Sequence, residues 1–362
     1  MTPPPTDTAS AVRARPTRIE RRTVLRLGSA VALPVRPRSL VVALLLVLAT
    51  LVASVATLSL GRLGVPLSDL FAAFTGAIDP RTAFALERLR GPRLVVAIGT
   101  GIALGLAGAL FQSVARNPLG SPDVIGVGAG AGAGVAFFAL LVPGLLPVSI
   151  GAVVGGAAAV LLVYVSTGTG FREPGRLIIA GVAVAAMATA FTHYVVFVVA
   201  RDRASMVAAY VNGSLAARSW EHAATIGVAL VLTIPFVLVL ANRVAVTEMG
   251  DELANGFGAR PQSTRVWAVV LSVALSAAAV SVAGPVAFIA LTAPNIARRL
   301  SRTPGPNLAL AGLTGALLLV LADLGAQHSP LGDGLPVGIY TMGIGGLYLG
   351  LLLIREWRKG TL

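Results

Sequence analysis

The sequence contains no cysteine, so disulfide bonds and thiolate metal sites are excluded. Its three histidines, His193, His222 and His328, lie far apart, which argues against a histidine metal site. Lys359 is the only lysine and Gly360 follows it, so the chain lacks the Gly-Lys-Ser/Thr of a P-loop. We therefore expect no metal, no cofactor and no ATP site of its own.

Charged residues are also scarce, at 12% of the chain, against about 25% in an ordinary soluble domain. Hydrophobic residues make up 56%, and the mean hydropathy is +0.85. A soluble fold of this length has too little polar surface to cover so much apolar side chain. The 41 glycines suit membrane helices, which pack backbone against backbone. This composition predicts an all-α integral membrane protein.

A helix that spans a membrane needs about 20 consecutive apolar residues. The long uncharged runs are 39–61, 94–115, 124–171, 177–200, 222–242, 266–297, 303–322 and 334–354. The run 124–171 holds two spans, with a turn at Pro143–Pro147. The run 266–297 is broken by Gly284-Pro285, and we expect two segments there that either are tilted or continue past Ala297 into Arg298 and Arg299. The total is about ten transmembrane helices within a membrane domain at 39–355.

Basic residues outnumber acidic ones, 28 to 15, which raises the possibility of nucleic-acid binding. They sit between apolar runs, however, so the pattern indicates membrane orientation and no nucleic acid. Residues 1–38 are basic and Pro-rich and lack a signal-peptide cleavage pattern, which predicts a mostly disordered cytoplasmic tail. Residues 356–362 form a second tail. With ten spans, both basic termini lie on the cytoplasmic side.

Few ionisable groups fall inside the spans. Asp323 lies well inside one, and Asp123 lies at the mouth of another. A proton- or sodium-coupled carrier is expected to bury several carboxylates or histidines along its path. The pattern therefore favours a transport protein that is powered by a partner subunit, with a secondary, proton-coupled carrier as the alternative from another class.

The loop at about 243–265 has the pattern of a short amphipathic helix that ends at Gly258. Its apolar and acidic residues are Met249, Leu253 and Phe257 with Glu248, Asp251 and Glu252. A helix that lies on the lipid surface is one interpretation, but such helices usually carry Lys and Arg on the polar face. The acidic face favours docking to a protein.

A series of motifs runs in order across roughly 38–355. The blocks are Arg90-Gly91-Pro92-Arg93, Gly108 with Gln112, Arg116-Asn117-Pro118-Leu119-Gly120-Ser121-Pro122-Asp123, Leu177 to Gly181, Gly213-Ser214-Leu215 with Trp220, Gly250-Asp251 to Gly258, Ala283 to Ile289, Pro294 to Arg298, Leu321-Ala322-Asp323 and Leu335 to Gly338. Each pair such as Asn-Pro is weak by itself. The ordered set resembles the FecCD family of iron-chelate and cobalamin uptake permeases.

That resemblance implies a cobalamin-permease-like, ten-helix membrane subunit of an ABC importer. Its partners would be a second permease, two ATPase subunits that bind the ATP, and an extracytoplasmic substrate-binding protein. The subunit would have no catalytic residue. The implied cargo is a ferric siderophore, with cobalamin or haem as alternatives. The long basic N-terminal tail, with Arg36-Pro37-Arg38, favours a non-identical sister permease over a homodimer.

The resemblance also implies roles for individual residues. Arg90 and Arg93 would dock the binding protein, because arginine offers a planar donor fork to carboxylates; the alternative is that they flank a helix end at the headgroups. Asn117 and Leu119 would form the cytoplasmic gate, although Asn117 is also a plain helix cap. The residues implied in ATPase coupling and in helix breaks near the pathway are Glu248, Gly250, Asp251, Glu252, Leu253, Phe257 and Gly258, and Pro118, Gly284, Pro285 and Pro294.

Three positions depart from the family pattern. Asn295 stands where many relatives carry histidine. Gln327, beside His328, stands where the cobalamin permease has a third outer arginine, so a third contact with the binding protein is in doubt. Asp333 comes one place earlier than the acid of many relatives. Asp323, by contrast, agrees with the family pattern. We expect it to be a buried carboxylate that caps a neighbouring helix, in preference to a transport role.

Overall fold

The structure, a computed structural model, describes residues 23–27, 31–61, 64–72, 79–168, 174–199, 212–303, 305–329 and 335–358. Helices dominate these residues. In chain order they are α1 (Pro37–Ser59), α2 (Leu67–Ala72), α3 (Pro80–Phe84), α4 (Gly91–Ala115), α5 (Val127–Ala136), α6 (Val148–Thr167), α7 (Pro174–Val199), α8 (Trp220–Thr247), α9 (Asp251–Gly256), α10 (Pro261–Ala283), α11 (Ile289–Ser301), α12 (Leu308–His328) and α13 (Val337–Arg358).

Three short helical segments of other types complete the architecture. A π-helical stretch, Ala85–Arg90, joins α3 to α4, and a second, Phe137–Leu141, extends α5. A 3-10 turn, Pro122–Ile125, precedes α5. The π-helical stretches make α3 and α4 one continuous rod and lengthen α5 to Leu141.

The two termini differ in part from the sequence expectation. Within the tail that we expected to be mostly disordered, β1 (Thr23–Leu27) and β2 (Val31–Val35) pair as a two-stranded antiparallel ladder. Residues 1–22 lie outside the described residues. At the other terminus α13 continues to Arg358, so the helix ends later than the predicted boundary at 356. The remaining tail, 359–362, lies outside the described residues.

The helices bear out the all-α membrane architecture. Among the described residues, seven helices are long and apolar enough to cross a membrane, and two shorter apolar helices accompany them, Val127–Leu141 and Val337–Leu351. Both long uncharged runs contain two helices, as predicted. The first is divided at residues 142–147, and the second at 284–288, after which α11 continues to Ser301.

The second helix of the run 266–297, α11, is too short to cross a membrane by itself. At 1.5 Å per residue, the 13 residues of α11 extend about 20 Å, less than the ~30 Å of a bilayer core. Arg298 and Arg299 lie in its last turn, and Asn295 bonds Pro118 just beyond the end of α4, so α11 begins partway through the bundle and finishes at the same end as α4.

Pro294 does not break a helix, contrary to the sequence expectation. It lies inside α11, which continues through it to Ser301. Proline removes the amide that would bond the Ala290 carbonyl. That oxygen lies directly against Gly108 of α4, and the next carbonyl, Leu291, accepts bonds from the side-chain amides of Gln112 and Asn295. Side-chain amides from α4 and from α11 itself thus bond the carbonyl of Leu291 beside the proline, a compensation that is common in membrane helices.

Helix α4 lies at the centre of the bundle. Of the apolar window in Pro80–Ala115, 83% is buried, against 17–28% for α1, α6, α7 and α8. Helices α10 and α12 come next, at 72% and 61%. Helices α8, α10, α11 and α12 all pack against α4. A displacement of α4 would therefore be felt throughout the core.

Glycines allow this close packing. A Cβ at Gly101, Gly105 or Gly108 would collide with the carbonyl of Gly315, Ala311 or Ala290, respectively. The backbones of α4, α11 and α12 therefore touch directly along what we call the glycine seam (Gly101, Gly105 and Gly108). Such small-residue contacts are a main source of helix association in lipid.

We expect Gly105→Ala to destabilise the purified protein, because the added methyl meets the backbone of Ala311. Overpacking of this kind costs about 1–3 kcal/mol, which corresponds to a fall in Tm of a few degrees. Gly132→Ala in α5 is the matched control, since nothing lies within 4 Å of the Cβ position there. Thermal melting in detergent checks both, and an equal Tm for the two variants would contradict the close contact.

Candidate functional site

The predicted amphipathic helix exists as α9, Asp251–Gly256, between α8 and α10. Gly250 and Gly258 flank it with positive φ values of 117° and 73°, a conformation that glycine adopts at little cost. Three apolar side chains point away from the bundle: Met249 is 60% exposed, Leu253 54% and Phe257 71%. We call Met249, Leu253 and Phe257 the apolar patch. An exposed apolar patch of this kind is typical of a surface that contacts another protein or a membrane.

The acids of this loop behave differently from the expectation. The sequence suggested an acidic docking face, but two of the three acids bond to the bundle itself. Glu248 accepts a 2.6 Å hydrogen bond from the Ser113 hydroxyl of α4. Asp251 Oδ1 accepts from Arg116 at 2.5 Å and from Arg265 at 2.6 Å. The apolar patch, and not the acidic residues, is therefore the larger surface that α9 offers to a partner.

The two arginines also keep Asp251 charged. Desolvation raises the pKa of this carboxyl, but the hydrogen bonds and positive charges of Arg116 and Arg265 outweigh that effect and hold the pKa below its ordinary value. A depressed pKa means that the contribution of this group is present at neutral pH and is lost only as the pH falls through the folded-state pKa. The Asp251 contacts are therefore intact at neutral pH.

Arg116 caps the C-terminus of α4 in the left-handed conformation, with φ 48° and ψ 32°. Helices usually place glycine there, because other residues meet a steric penalty. Its guanidinium donates to the Thr247 carbonyl at 2.7 Å as well as to Asp251. The end of α4 is thereby joined to the end of α8 and to the first residue of α9.

The predicted gate residues, Asn117 and Leu119, come directly after Arg116 in the chain. In the turn after Arg116, the Asn117 side-chain oxygen accepts from the Leu119 amide at 2.8 Å, and the Asn117 carbonyl accepts from Gly120 at 3.0 Å. Asn117 thus forms a turn of its own after the helix cap. Leu119 is 48% exposed. The Pro118 carbonyl accepts a 2.8 Å bond from the Asn295 amide of α11, which fixes this gate turn (Asn117–Leu119) to a second helix.

A buried polar cluster connects α4 and α11 behind the gate turn. Gln112 donates to the Leu291 carbonyl at 3.0 Å and accepts from Arg298. Asn295 accepts from Arg298 at 3.3 Å and donates to Leu291 at 2.8 Å. Asn295, which departs from the family histidine, retains a structural role through its amide.

The helix break at Gly284-Pro285 is present as an extended segment, residues 284–288. Gly284 has φ 73°, and Phe288 adopts φ 68°, which is unusual for an aromatic residue. Ser214 donates its amide to the Ala283 carbonyl at 2.8 Å, so the loop before α8 closes over the end of α10. Irregular backbone at membrane depth is tolerated where it is buried in protein or lines a cavity.

At the opposite end of α4, Arg90 caps another helix. Its Nη1 donates to the carbonyls of Thr57, Leu58 and Leu60, at 2.6, 3.0 and 2.8 Å. These carbonyls belong to the last turn of α1, where no intrahelical donor is available. The sequence had presented Arg90 as a docking residue, and the structure adds this internal role.

Arg93 is also engaged within the chain. Its guanidinium forms a two-pronged ion pair with Asp323 of α12, with Nη2–Oδ1 at 2.7 Å and Nε to both oxygens at 3.0 Å. Gln327 donates to Asp323 Oδ2 at 2.7 Å. Asp323 is 1% exposed and the Arg93 side chain 24%. Asp323 is therefore the partner of a buried ion pair, which corrects the expectation that it caps a helix.

The structure brings some predicted residues together and keeps others apart. The loop at 243–265 and the gate turn meet through Arg116, whereas Arg90 and Arg93 lie about 37 Å away along the 25 residues of α4. Sequence reasoning missed the roles of Arg116, Ser113 and Arg265. Arg116 opens the Asn-Pro-Leu-Gly motif, and a charged residue in the usual place of glycine was the available signal. Asp333 lies outside the described residues.

Comparisons with known proteins agree with this architecture. The model of the FecCD transport family matches residues 45–355. The chain is 39% identical over 323 residues to the ferric enterobactin transport system permease protein of Escherichia coli (strain K12), covering 89% of this chain and 98% of that one. It is 36% identical to the achromobactin transport system permease protein of Dickeya dadantii (strain 3937), with 87% and 90% covered.

A further relative and one solved structure extend the comparison. The Fe(3+)-citrate import system permease protein YfmE of Bacillus subtilis (strain 168) is 33% identical, over 89% of this chain and 97% of that one. A metal-chelate type ABC transporter solved in an inward-facing conformation superposes with a TM-score of 0.74 at 23% identity, covering 87% and 99%. That structure supports the fold alone. The family match and the relatives lead to one conclusion: this multi-pass membrane protein belongs to the FecCD transport family.

Proposed function

We propose that this chain is the membrane-spanning permease subunit of an ABC importer for ferric siderophores. The observation that carries the proposal is the 39% identity to a ferric enterobactin permease along 98% of that protein. Relatives named for achromobactin and for Fe(3+)-citrate support the same cargo class, an iron chelate. Cobalamin or haem is the alternative cargo.

The energy for import would come from separate ATPase subunits. Permeases of this family work beside an ATPase chain and a second permease chain. The apolar patch on α9 supports an ATPase contact, because α9 projects from the bundle at the end where α4, α8 and α11 finish. The α9 end then faces the cytoplasm, as do both termini.

The opposite end, near Arg93, would receive the substrate-binding protein. Arg90 and Arg93 remain the proposed contacts for its carboxylates, and they would meet it while holding their internal partners. Arg93 retains 24% side-chain exposure, which leaves one edge of the guanidinium open to a second carboxylate. The second permease chain is proposed to be a non-identical sister.

The burial of Asp323 in an ion pair argues against a secondary carrier. A proton-coupled carrier is expected to hold free carboxylates along its path, whereas both oxygens of Asp323 are bonded to Arg93 and Gln327. Cargo selectivity is proposed to reside in the binding protein.

Reconstitution tests the proposal. The permease pair, the ATPase subunits and the binding protein are placed in liposomes with radiolabelled ferric enterobactin and ATP, and we expect ATP-dependent uptake. Liposomes with an ATPase inactivated in its P-loop are the control. Uptake by this chain alone under a proton gradient would contradict the proposal and identify a secondary carrier. Uptake of cobalamin or haem, but not of ferric enterobactin, would identify the alternative cargo in place of the proposed one.

A further inference from the structure

Arg116 adopts a left-handed backbone conformation that is unfavourable for any residue other than glycine. It is one of five described non-glycine residues with positive φ, and glycine would fit the site better. The side chain is 40% exposed, and Asp251 is 47% exposed. An ion pair this open to solvent contributes little to stability. The side-chain contacts of Arg116 therefore point to a role other than stabilising the fold.

Those contacts connect two parts of the molecule that the proposed function requires to move together. On one side, the guanidinium bonds the Thr247 carbonyl and Asp251, which are the residues that lead into α9 and begin it. On the other side, the backbone of Arg116 continues directly into Asn117 and the gate turn. No residue lies between the Arg116 Cα and that turn.

Two further bonds make the connection specific. One turn earlier on α4, Ser113 donates to Glu248, so the segment before α9 is attached to the same end of α4 at two points. Beyond the gate turn, Pro118 is bonded to Asn295 of α11. The described contacts therefore form one continuous chain from α9, through Asp251, Arg116 and Pro118, to α11.

We propose that Arg116 is the positioning residue that transmits movement of α9 to the gate turn and α11. The inference rests on the proposed function and deepens it. When an ATPase displaces α9, Asp251 carries the guanidinium with it, and the short turn after Arg116 follows. Arg265 shares Asp251 but lies on α10, and among the described residues its guanidinium bonds Asp251 and not the gate turn, so it anchors α9 without transmitting its movement.

The test compares Arg116→Gln and Arg116→Gly with Arg265→Gln in the complete importer. Arg116→Gly suits the left-handed backbone, so it removes the side chain without straining the helix end. We expect both Arg116 variants to assemble and to keep basal ATP hydrolysis within about twofold, while stimulation by loaded binding protein and import fall at least tenfold. Arg265→Gln should retain import within about threefold.

Three results would overturn the inference. One is import by both Arg116 variants within threefold of the wild type. Another is an equal loss in Arg265→Gln, which would assign the effect to the charge balance of Asp251. The third is failure of the Arg116 variants to bind the ATPase, which would make Arg116 part of the docking surface. Absence of import by the wild-type complex would count against the proposed function instead.

A distance measurement tests transmission independently of import. Because the chain has no cysteine, Glu252→Cys and Leu119→Cys can carry two spin labels without further changes. In the complex with Arg116, nucleotide binding should leave the distance between the labels constant, because α9 and the gate turn move as one. In the Arg116→Gly background the distance should change by several ångströms. Equal behaviour in the two backgrounds would contradict the proposal.

Discussion

Arg93→Ala is expected to destabilise the protein severely. Removal of the guanidinium leaves Asp323, which is 1% exposed, as an unpaired carboxylate among apolar helices. Breaking a buried pair from one side costs about 3–5 kcal/mol, because the remaining charge has lost its compensation. In thermal melting of the detergent-purified chain, this corresponds to a fall in Tm of at least about 5 °C.

The matched control removes both charges. Arg93→Gln with Asp323→Asn keeps two side chains that can hydrogen-bond to each other and to Gln327, so most of the lost Tm should return. If the double variant melts as low as Arg93→Ala, the ion pair is not the cause of the loss.

The same double variant is suited to measuring capture of the binding protein. Charge reversal at Arg93 would place a second carboxylate against Asp323 and unfold the site, so capture is measured in the Arg93→Gln, Asp323→Asn variant.

Phe257→Asp is expected to abolish assembly with the ATPase while leaving the chain itself folded. The side chain is 71% exposed beside Leu253 and Met249, so the substitution disturbs no internal packing. Truncation or charging of a central apolar anchor weakens a protein interface by 2 kcal/mol or more, roughly 30-fold in Kd. Co-purification of tagged ATPase subunits measures the loss.

Phe71→Asp is the matched control for this experiment. Phe71 is 74% exposed on α2, near the opposite end of the bundle from α9. It should retain the ATPase at the wild-type level, and both variants should melt within about 2 °C of the wild type. Retention of the ATPase by Phe257→Asp would show that the apolar patch is not part of the interface.

The sequence predicted the bundle well because the bilayer imposes a strict length rule. The uncharged runs located the helices, and prolines and glycines marked the divisions at 142–147 and 284–288. Continuation past Ala297 into Arg298 and Arg299 was one of the two alternatives predicted for the second run, and α11 does extend to Ser301. The contact of Arg298 with Gln112 inside the bundle was not predicted, because uncharged length alone does not reveal such a partner.

The candidate site was predicted only in part. The periodicity of Leu253 and Phe257 located α9, because an exposed amphipathic helix has a local signature. Arg93 and Asp323, by contrast, stand 230 positions apart, and no local pattern in one sequence links two residues at that separation. The same holds for Ser113 and Glu248. Charges that look available for a partner in the sequence were already engaged by distant parts of the chain.

The glycine seam determines which motions the central helix can make. At Gly101, Gly105 and Gly108, α4 presents bare backbone to the carbonyl groups of α11 and α12. Rotation about its own axis would drive neighbouring bulky residues, such as Leu104 and Leu106, into carbonyl groups. Sliding along the axis would break the Gln112–Leu291 bond to α11 and the Arg93–Asp323 pair to α12. Helix α4 can therefore move only together with α11 and α12, as one rigid block that runs from Arg116 at one end to Arg93 at the other.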